Sequence, residues 1–264
     1  MRVEAIVPHG FCGGVERAVR MAGELLDGAR GNVYGLHEIV HNETVVRELV
    51  SKGMVFVNSV SEVPDGATLL VSAHGTTPAA FSEAAEKGLK VVDATCPFVL
   101  AGHELIRENF RKGMRTVVVG KPAHAEVLGY LGERGACLPE DVKPGEKTGF
   151  VVQTTLDAQE NGGVCTATRD RQQAVRRFVQ TNLSAGIRSS SIGVLVVGSR
   201  KSSNTAKLGE VAEREGAKTW LAGNADDAGG MDFSGIEVLG ITSGASTPES
   251  MYQRVFDRIV QKGS

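Results

Sequence analysis

Residues 8–19 read PHGFCGGVERAV: Pro8, His9, Gly10, Phe11, Cys12, Gly13, Gly14, Val15, Glu16, Arg17, Ala18 and Val19. A short apolar run, Val3 to Val7, ends at Pro8, a tight loop carries Cys12, and a helical pattern begins at Val15. A thiol at a strand-to-helix turn lies beside a helix N-terminus, where unpaired N–H groups and the helix dipole favour the thiolate. The two glycines that follow let the backbone come close to whatever the sulfur holds. Cys12 is therefore placed for metal or redox work, with a small buried hydrophobe as the alternative reading.

The same unit recurs along the chain. Short β-branched runs, Thr68–Val71, Val91–Asp93, Thr116–Val119, Phe150–Val152, Val194–Val197 and Val238–Ile241, each end in a loop of Gly, Ser, Thr, His, Gln or Cys. Helical patterns fill the gaps at Val15–Leu26, His41–Lys52, Thr77–Lys87, Pro97–Arg111, Gln172–Leu183, Asn204–Glu215 and Pro248–Lys262. Asn42 suits an N-cap, Pro248 a first helical turn, and Gly53, Gly88, Gly113 and Gly216 stand where helices should stop. Short buried strands alternating with helices predict an α/β fold with parallel sheets.

Composition narrows the function classes. The chain has 264 residues, 41% hydrophobic and 23% charged, with a net charge of −2, so no basic surface for nucleic acid is expected. No apolar run reaches membrane-spanning length, and a strand pattern begins at once where a signal peptide would need a charged and then apolar stretch. A cytoplasmic protein is expected. Cysteines at 12, 96, 137 and 165 are too dispersed for a disulfide scaffold and argue for metal binding or catalysis.

Ligands of parallel α/β sheets bind beyond the carboxyl ends of the strands. Cys12, His74, Cys96, His124, Glu126, Thr154, Ser202, Asn204 and Ser246 all fall in such positions. Cys12 and Cys96 each precede a helical pattern directly, Cys165 precedes one starting near Arg169, and Cys137 reads as the interior of a short strand, a structural thiol. Three separated thiolates leave one metal position open; both an iron–sulfur cluster and a three-Cys zinc site satisfy that count, though no CxxC pair is present. His41, His74 and His124 would suit an anionic ligand, with Ser202, Ser203, Asn204 and Ser246 as small donors near helix starts. Ser202 to Asn204 could equally cap a helix. His9 and His37 are ambiguous, His103 reads as a surface or core residue within a helix, and Asp93 as a tie for the Cys96 loop. Glu126 is the one carboxylate two residues from such a histidine; in a closed pocket its pKa would rise and it could hold a proton for delivery.

These stretches resemble the LytB/IspH family of hydroxymethylbutenyl diphosphate reductases. The likeness runs through GFCGGVERAV at 10–19, HEIVHN at 37–42, SEVPDGATLLVSAHG at 61–75 and DATCPFV at 93–99. It continues through His124 with Glu126, VVQTTL at 151–156, CTATRDRQQAV at 165–175, VVGSRKSSN at 196–204 and TSGASTPES at 242–250. The resemblance implies three α/β domains arranged pseudo-symmetrically around a central [4Fe–4S] cluster, here 1–97, a shortened 98–157, and 158–264. It implies cluster ligands at Cys12, Cys96 and Cys165, with one open iron. It implies a diphosphate held by His41, His74, His124, Ser202, Ser203, Asn204 and Ser246. Glu126, with His124 and Thr154 nearby, would deliver protons, and reduced ferredoxin or flavodoxin would supply electrons. The product pair would be isopentenyl and dimethylallyl diphosphates.

The sequence also departs from the family pattern. The family loop resembling GHxGHPE is GKPAHAE at 120–126, Gly13 stands for an alanine, and Asp170 for an asparagine. Only ten residues separate Thr154 from Cys165, about twenty fewer than the family carries. Rival readings are a paralogue acting on another allylic or diphosphate-bearing alcohol, a non-catalytic iron–sulfur sensor, and a zinc hydrolase.

Overall fold

The structure is a computed structural model that describes residues 1–29, 31–160 and 162–263. Three parallel sheets make an α/β protein. The chain divides into two compact units, residues 1–12 with 155–264, and residues 13–154.

In the first unit, β1 (Arg2–Ala5), β11 (Val238–Ser243), β9 (Ile192–Val197) and β10 (Lys218–Ala222) form one sheet in that order, every pairing parallel. All six residues of β9 and of β11 are buried, because a central parallel strand is covered on both faces. The side chains of β9 alternate accordingly. Val194 and Val196 pack with Val175 and Val179 of α6 (Thr166–Ser184) and Leu208 and Val211 of α7 (Ser203–Arg214). Leu195 and Val197 pack with Tyr252, Val255 and Ile259 of α9 (Glu249–Gly263) and Ala228 of α8 (Ala225–Gly229). Gly240 keeps β11 open: a Cβ there would lie 2.5 Å from Ile6 Cδ1 and 2.7 Å from the Phe178 ring.

The second unit holds two sheets. One runs β3 (Met54–Val57), β2 (Val33–Leu36), β4 (Thr68–Val71), β5 (Lys90–Asp93), and the other β7 (Ala136–Cys137), β6 (Arg115–Val119), β8 (Thr148–Val152), all parallel. Its helices are α1 (Gly13–Gly28), α2 (Glu43–Ser51), α3 (Pro78–Glu86), α4 (Pro97–Arg111) and α5 (Ala125–Leu131). Asn42 caps α2 by accepting from the N–H groups of Thr44 and Val45. Gly53, Gly88 and Gly113, like Gly216 in the first unit, take positive φ values of 100°, 62°, 70° and 96° just past helix ends. The helix α4 leaves the sheet of β5 and packs Val99 and Ile106 against Val118 and Val151 of the other sheet and Val127 of α5. Among the described residues no helix is long and apolar enough to cross a membrane.

Two placements lie outside the sequence expectations. The first strand pairs with β11, the last, and not with a strand of residues 33–93. The helix expected over Gln172–Leu183 begins six residues earlier, at Thr166, with Cys165 as its cap: the Cys165 sulfur accepts from the Thr168 N–H at 3.4 Å.

The short connection between Thr154 and Cys165 is held by buried polar bonds. Asp157, 1% exposed, pairs with Arg176 at 3.1 Å and Arg214 at 2.5 Å. Gln172 on α6 accepts from the Ala158 N–H and donates to the Leu156 carbonyl, at 2.8 and 2.9 Å. Burial acts to raise the Asp157 carboxyl, and the Gln159 N–H and Arg214 outweigh it, so its pKa lies below the usual carboxylate range. The stability this supplies is present above the ordinary carboxylate pKa and is lost as pH falls through the lowered value. Asp157→Asn will cost about 3 kcal/mol at pH 7, because it takes from buried Arg176 its nearer carboxylate and leaves it only Glu215 at 3.5 Å. Urea midpoints measured from pH 7 to pH 3 will converge between parent and variant; a constant difference would show that charge is not the cause.

Candidate functional site

The second unit gathers three histidines from three loops. His41 stands just before the cap of α2, His74 follows β4, and His124 is itself the N-cap of α5, its Nδ1 accepting from the Glu126 N–H at 3.2 Å. The His41 and His74 rings stack with centroids 4.3 Å apart, and His124 meets both edge-on at 5.6 and 5.5 Å. One nitrogen from each lies within 4.8 Å of the others. Burial, and then the neighbouring His41 and His124, holds His74 well below the usual histidine range. Burial, and then His41 and Lys121, lowers His124 to about 4. Both rings are therefore neutral at pH 7, and the His74 Nδ1 is buried with no hydrogen-bond partner. Imidazoles that converge around a buried nitrogen without a partner, as His74 Nδ1 is, can receive an anion, and that anion in turn favours their protonation. The same neutral nitrogens are also suited to a metal ion.

Two residues along α5, Glu126 is 1% exposed. Its Oε1 accepts from the Thr154 N–H at 2.7 Å and the Tyr130 hydroxyl at 3.3 Å, and its Oε2 from the Thr154 hydroxyl at 3.0 Å. Burial outweighs these three bonds and raises its pKa from 4.5 to about 7. A carboxyl at that value holds a proton near neutral pH and can release it. Tyr130 was not an expected site residue. Its signal is the four-residue step from Glu126, which acquires meaning only once AEVLGYL is a helix. Gly129 argues against that helix by about 1 kcal/mol, yet a Cβ there would press to 3.3 Å from the Thr76 carbonyl, a tight approach that glycine avoids. Tyr130→Phe removes a bond that favours the carboxylate. The Glu126 titration, followed by the infrared carboxyl band, will move up by about half a pH unit; a downward move would contradict the hydrogen-bond assignment.

Cys96 caps α4 and donates its N–H to the Ala73 carbonyl at 3.0 Å. Its loop is tied by Asp93, which accepts from the Thr95 N–H at 2.9 Å, and by Arg17, which donates to the Thr95 carbonyl at 3.2 Å. Gly14 lies flush against this sulfur: a Cβ there would be 2.6 Å from Sγ. Cys137 is buried in β7, its pKa pushed up by burial, which suits an inert thiol. His103 is buried and bonds Glu133 at 2.8 Å, His9 bonds Glu249 at 2.9 Å and stacks on Tyr252, and His37 is exposed.

The first unit carries the remaining candidates. Cys12 immediately precedes α1 and donates its N–H to the Ala245 carbonyl at 3.1 Å. Ala245 in turn donates to Asn204 Oδ1 at 2.9 Å, Asn204 Nδ2 donates to Thr168 Oγ1 at 3.2 Å, and Thr168 caps back onto Cys165. Asn204 thus links the Cys12 loop to the start of α6. Ser202 caps α7, accepting from the Thr205 N–H at 3.3 Å, Ser203 opens that helix, and Ser246 is buried in the loop after β11. The three cysteines share one placement: each stands directly before a helix, at Gly13, Pro97 and Thr166.

Comparison with known proteins bears on the family and the fold. The family model described as LytB protein matches residues 3–164 and 158–260. A 4-hydroxy-3-methylbut-2-enyl diphosphate reductase of Tolumonas auensis is 37% identical over 296 residues, spanning 100% of this chain and 92% of that protein. One of Aeromonas hydrophila subsp. hydrophila is 38% identical, spanning 97% and 90%. Among solved structures, the E-1-hydroxy-2-methyl-but-2-enyl-4-diphosphate reductase from Plasmodium falciparum superposes with a TM-score of 0.87 at 28% identity, over 97% of this chain and 87% of that one. A second, described as the terminal enzyme of the non-mevalonate pathway, gives 0.69 at 30% identity, over 99% and 100%.

Proposed function

The chain belongs to the LytB protein family, and from that footing we propose that it reductively removes the allylic hydroxyl of 4-hydroxy-3-methylbut-2-enyl diphosphate. It is an oxidoreductase, and the products of this reaction would be isopentenyl and dimethylallyl diphosphates. The carbon–oxygen bond breaks, two electrons and two protons are consumed, and the hydroxyl leaves as water. The observation that carries this reading is the pairing of a proton-holding carboxyl with an anion cradle: Glu126, poised at about 7, follows His124 of the histidine trio by two residues.

The residues divide the work by their chemistry. His41, His74 and His124 take the diphosphate through their ring N–H groups, and Ser202, Ser203, Asn204 and Ser246 are proposed as a further set of small anion donors. Glu126 delivers a proton, while the Thr154 hydroxyl and N–H keep its two oxygens oriented. Cys12, Cys96 and Cys165 are proposed as the thiolate ligands of a [4Fe–4S] cluster. The fit rests on three helix-start sulfurs and on Gly14, whose missing Cβ makes room for the Cys96 sulfur. Bound on three thiolates, such a cluster supplies the electrons and a Lewis-acidic iron. A small soluble electron carrier, ferredoxin or flavodoxin, is the proposed donor.

Anaerobic purification with iron and sulfide analysis, followed by turnover of 4-hydroxy-3-methylbut-2-enyl diphosphate under reducing conditions, tests this reading. Four irons and four sulfides per chain with turnover are expected, and Cys137→Ser should match the parent in both. A loaded protein that turns over only another allylic alcohol, or none, would replace the proposal with a paralogue or a sensor. Bound zinc without sulfide would end it.

A further inference from the structure

One buried charge in the first unit is left over by this account. Arg171, on α6, is 3% exposed and lies six residues beyond Cys165. Its Nη2 donates to the Gly10 carbonyl at 2.7 Å and lies 3.5 Å from that of His9, and its Nη1 donates to the Ala167 carbonyl at 3.4 Å. Its Nε is buried and has no hydrogen-bond partner. The acceptors are neutral carbonyls, and among the described residues no carboxylate lies at ion-pair distance. Yet a guanidinium taken out of water is strongly disfavoured unless negative charge compensates it. The negative groups that act on it are the Cys12 and Cys165 sulfurs and exposed Asp170. One side chain thus grips the loop that carries Cys12 from the helix that Cys165 caps, and its positive charge is felt at both sulfurs.

We propose that Arg171 is a positioning residue of the iron–sulfur site, which fixes the Cys12 loop relative to Cys165 and, through its charge, makes the bound cluster easier to reduce. This rests on the reading that Cys12 and Cys165 are cluster ligands. Adding an electron makes the centre more negative, and a buried cation beside its thiolates stabilises the reduced form more than the oxidised one. Arginine suits the task because its planar fork holds the Gly10 carbonyl while the guanidinium keeps its charge in the buried position.

The test is an EPR-monitored redox titration with dithionite of the anaerobically purified parent, Arg171→Gln and Arg171→Lys proteins. At the parent's midpoint potential, the reduced-to-oxidised ratio in Arg171→Gln is expected to fall about tenfold, a midpoint lower by about 59 mV for a one-electron couple. Arg171→Lys, which keeps a cation without the fork, should fall by much less. A loaded Arg171→Gln protein with the parental midpoint overturns the proposal. If Arg171→Gln fails to hold iron while Arg171→Lys holds it near the parental midpoint, the charge is required and the proposal stands. If both fail to hold it, the residue is a backbone brace alone and the proposal falls. A parent that binds no iron and sulfide would remove the functional reading itself, an outcome separate from all of these.

Discussion

Glu126→Gln will turn over its substrate about a hundredfold to ten-thousandfold more slowly than the parent, the usual range for loss of a general acid, while binding it about as well. The same variant will be more stable at neutral pH and above. Both effects follow from one placement. The carboxyl is 1% exposed, and its pKa is raised from 4.5 to about 7 because burial outweighs the bonds from Thr154 and Tyr130. Between those two values the folded protein holds a proton that the unfolded chain has released, so stability falls as pH rises from 4.5 to about 7. A shift of that size corresponds to about 3 kcal/mol. The amide introduced by the substitution keeps an oxygen for the Thr154 N–H and never ionises, so the loss disappears. Urea midpoints of parent and variant should agree near pH 4.5, separate as pH rises, and run parallel above pH 8. Substrate turnover by the variant at the parental rate would remove Glu126 from the proton path, and an unchanged midpoint at pH 8 would show that the carboxyl is not desolvated as its surroundings require.

The elements that carry this site differ in how visible they are in the chain. Helix stops were legible because Gly53, Gly88, Gly113 and Gly216 take positive φ, a local demand that glycine meets without strain. The cap at Asn42 was legible for a similar reason, since its side chain satisfies the N–H groups of the next turn. The strands β2, β3 and β10 were not in the expected pattern. Each is four or five residues, and β2 carries Gly35 where a Cβ would meet the Phe56 ring at 2.7 Å. The partner of β1 was beyond reach, because pairing with β11 joins residues more than two hundred apart and leaves no local trace. For the site, each histidine could be assigned to a strand end from its neighbours, whereas the orthogonal packing of His124 on the other two rings depends on how two sheets of one unit abut. Asn204 shows the opposite limit. Its residue type suggests an anion donor, and both ends of its amide also carry bonds within the protein, to Thr168 and Ala245. Arg171 offered nothing in sequence to distinguish it from the other arginines of a charged helix; only burial does.

His74→Gln will weaken binding of inorganic diphosphate about thirtyfold at pH 6, as loss of a hydrogen bond to a charged group worth about 2 kcal/mol, and will flatten the pH dependence of that binding. The argument begins with the ligand-free rings. His74 is held well below the usual histidine range and His124 at about 4, chiefly by burial, so neither carries a proton at pH 6. A diphosphate against these rings supplies the negative charge they lack and raises both values, which means that binding takes up protons. Affinity must then rise as pH falls from 8 toward 5, steepest where the bound-state values lie. The His74 Nδ1, buried and without a partner, makes this ring the one with most to gain from the ligand. Glutamine can replace one donor but cannot accept the extra proton, so both the magnitude and the slope should fall. In turnover the loss should appear mainly in KM, because the diphosphate is held alike before and during the reaction. Calorimetry in buffers of different ionisation heat reads the proton uptake directly. Binding of diphosphate by the parent with no proton uptake across pH 5 to 8 would mean that the histidines do not face the anion.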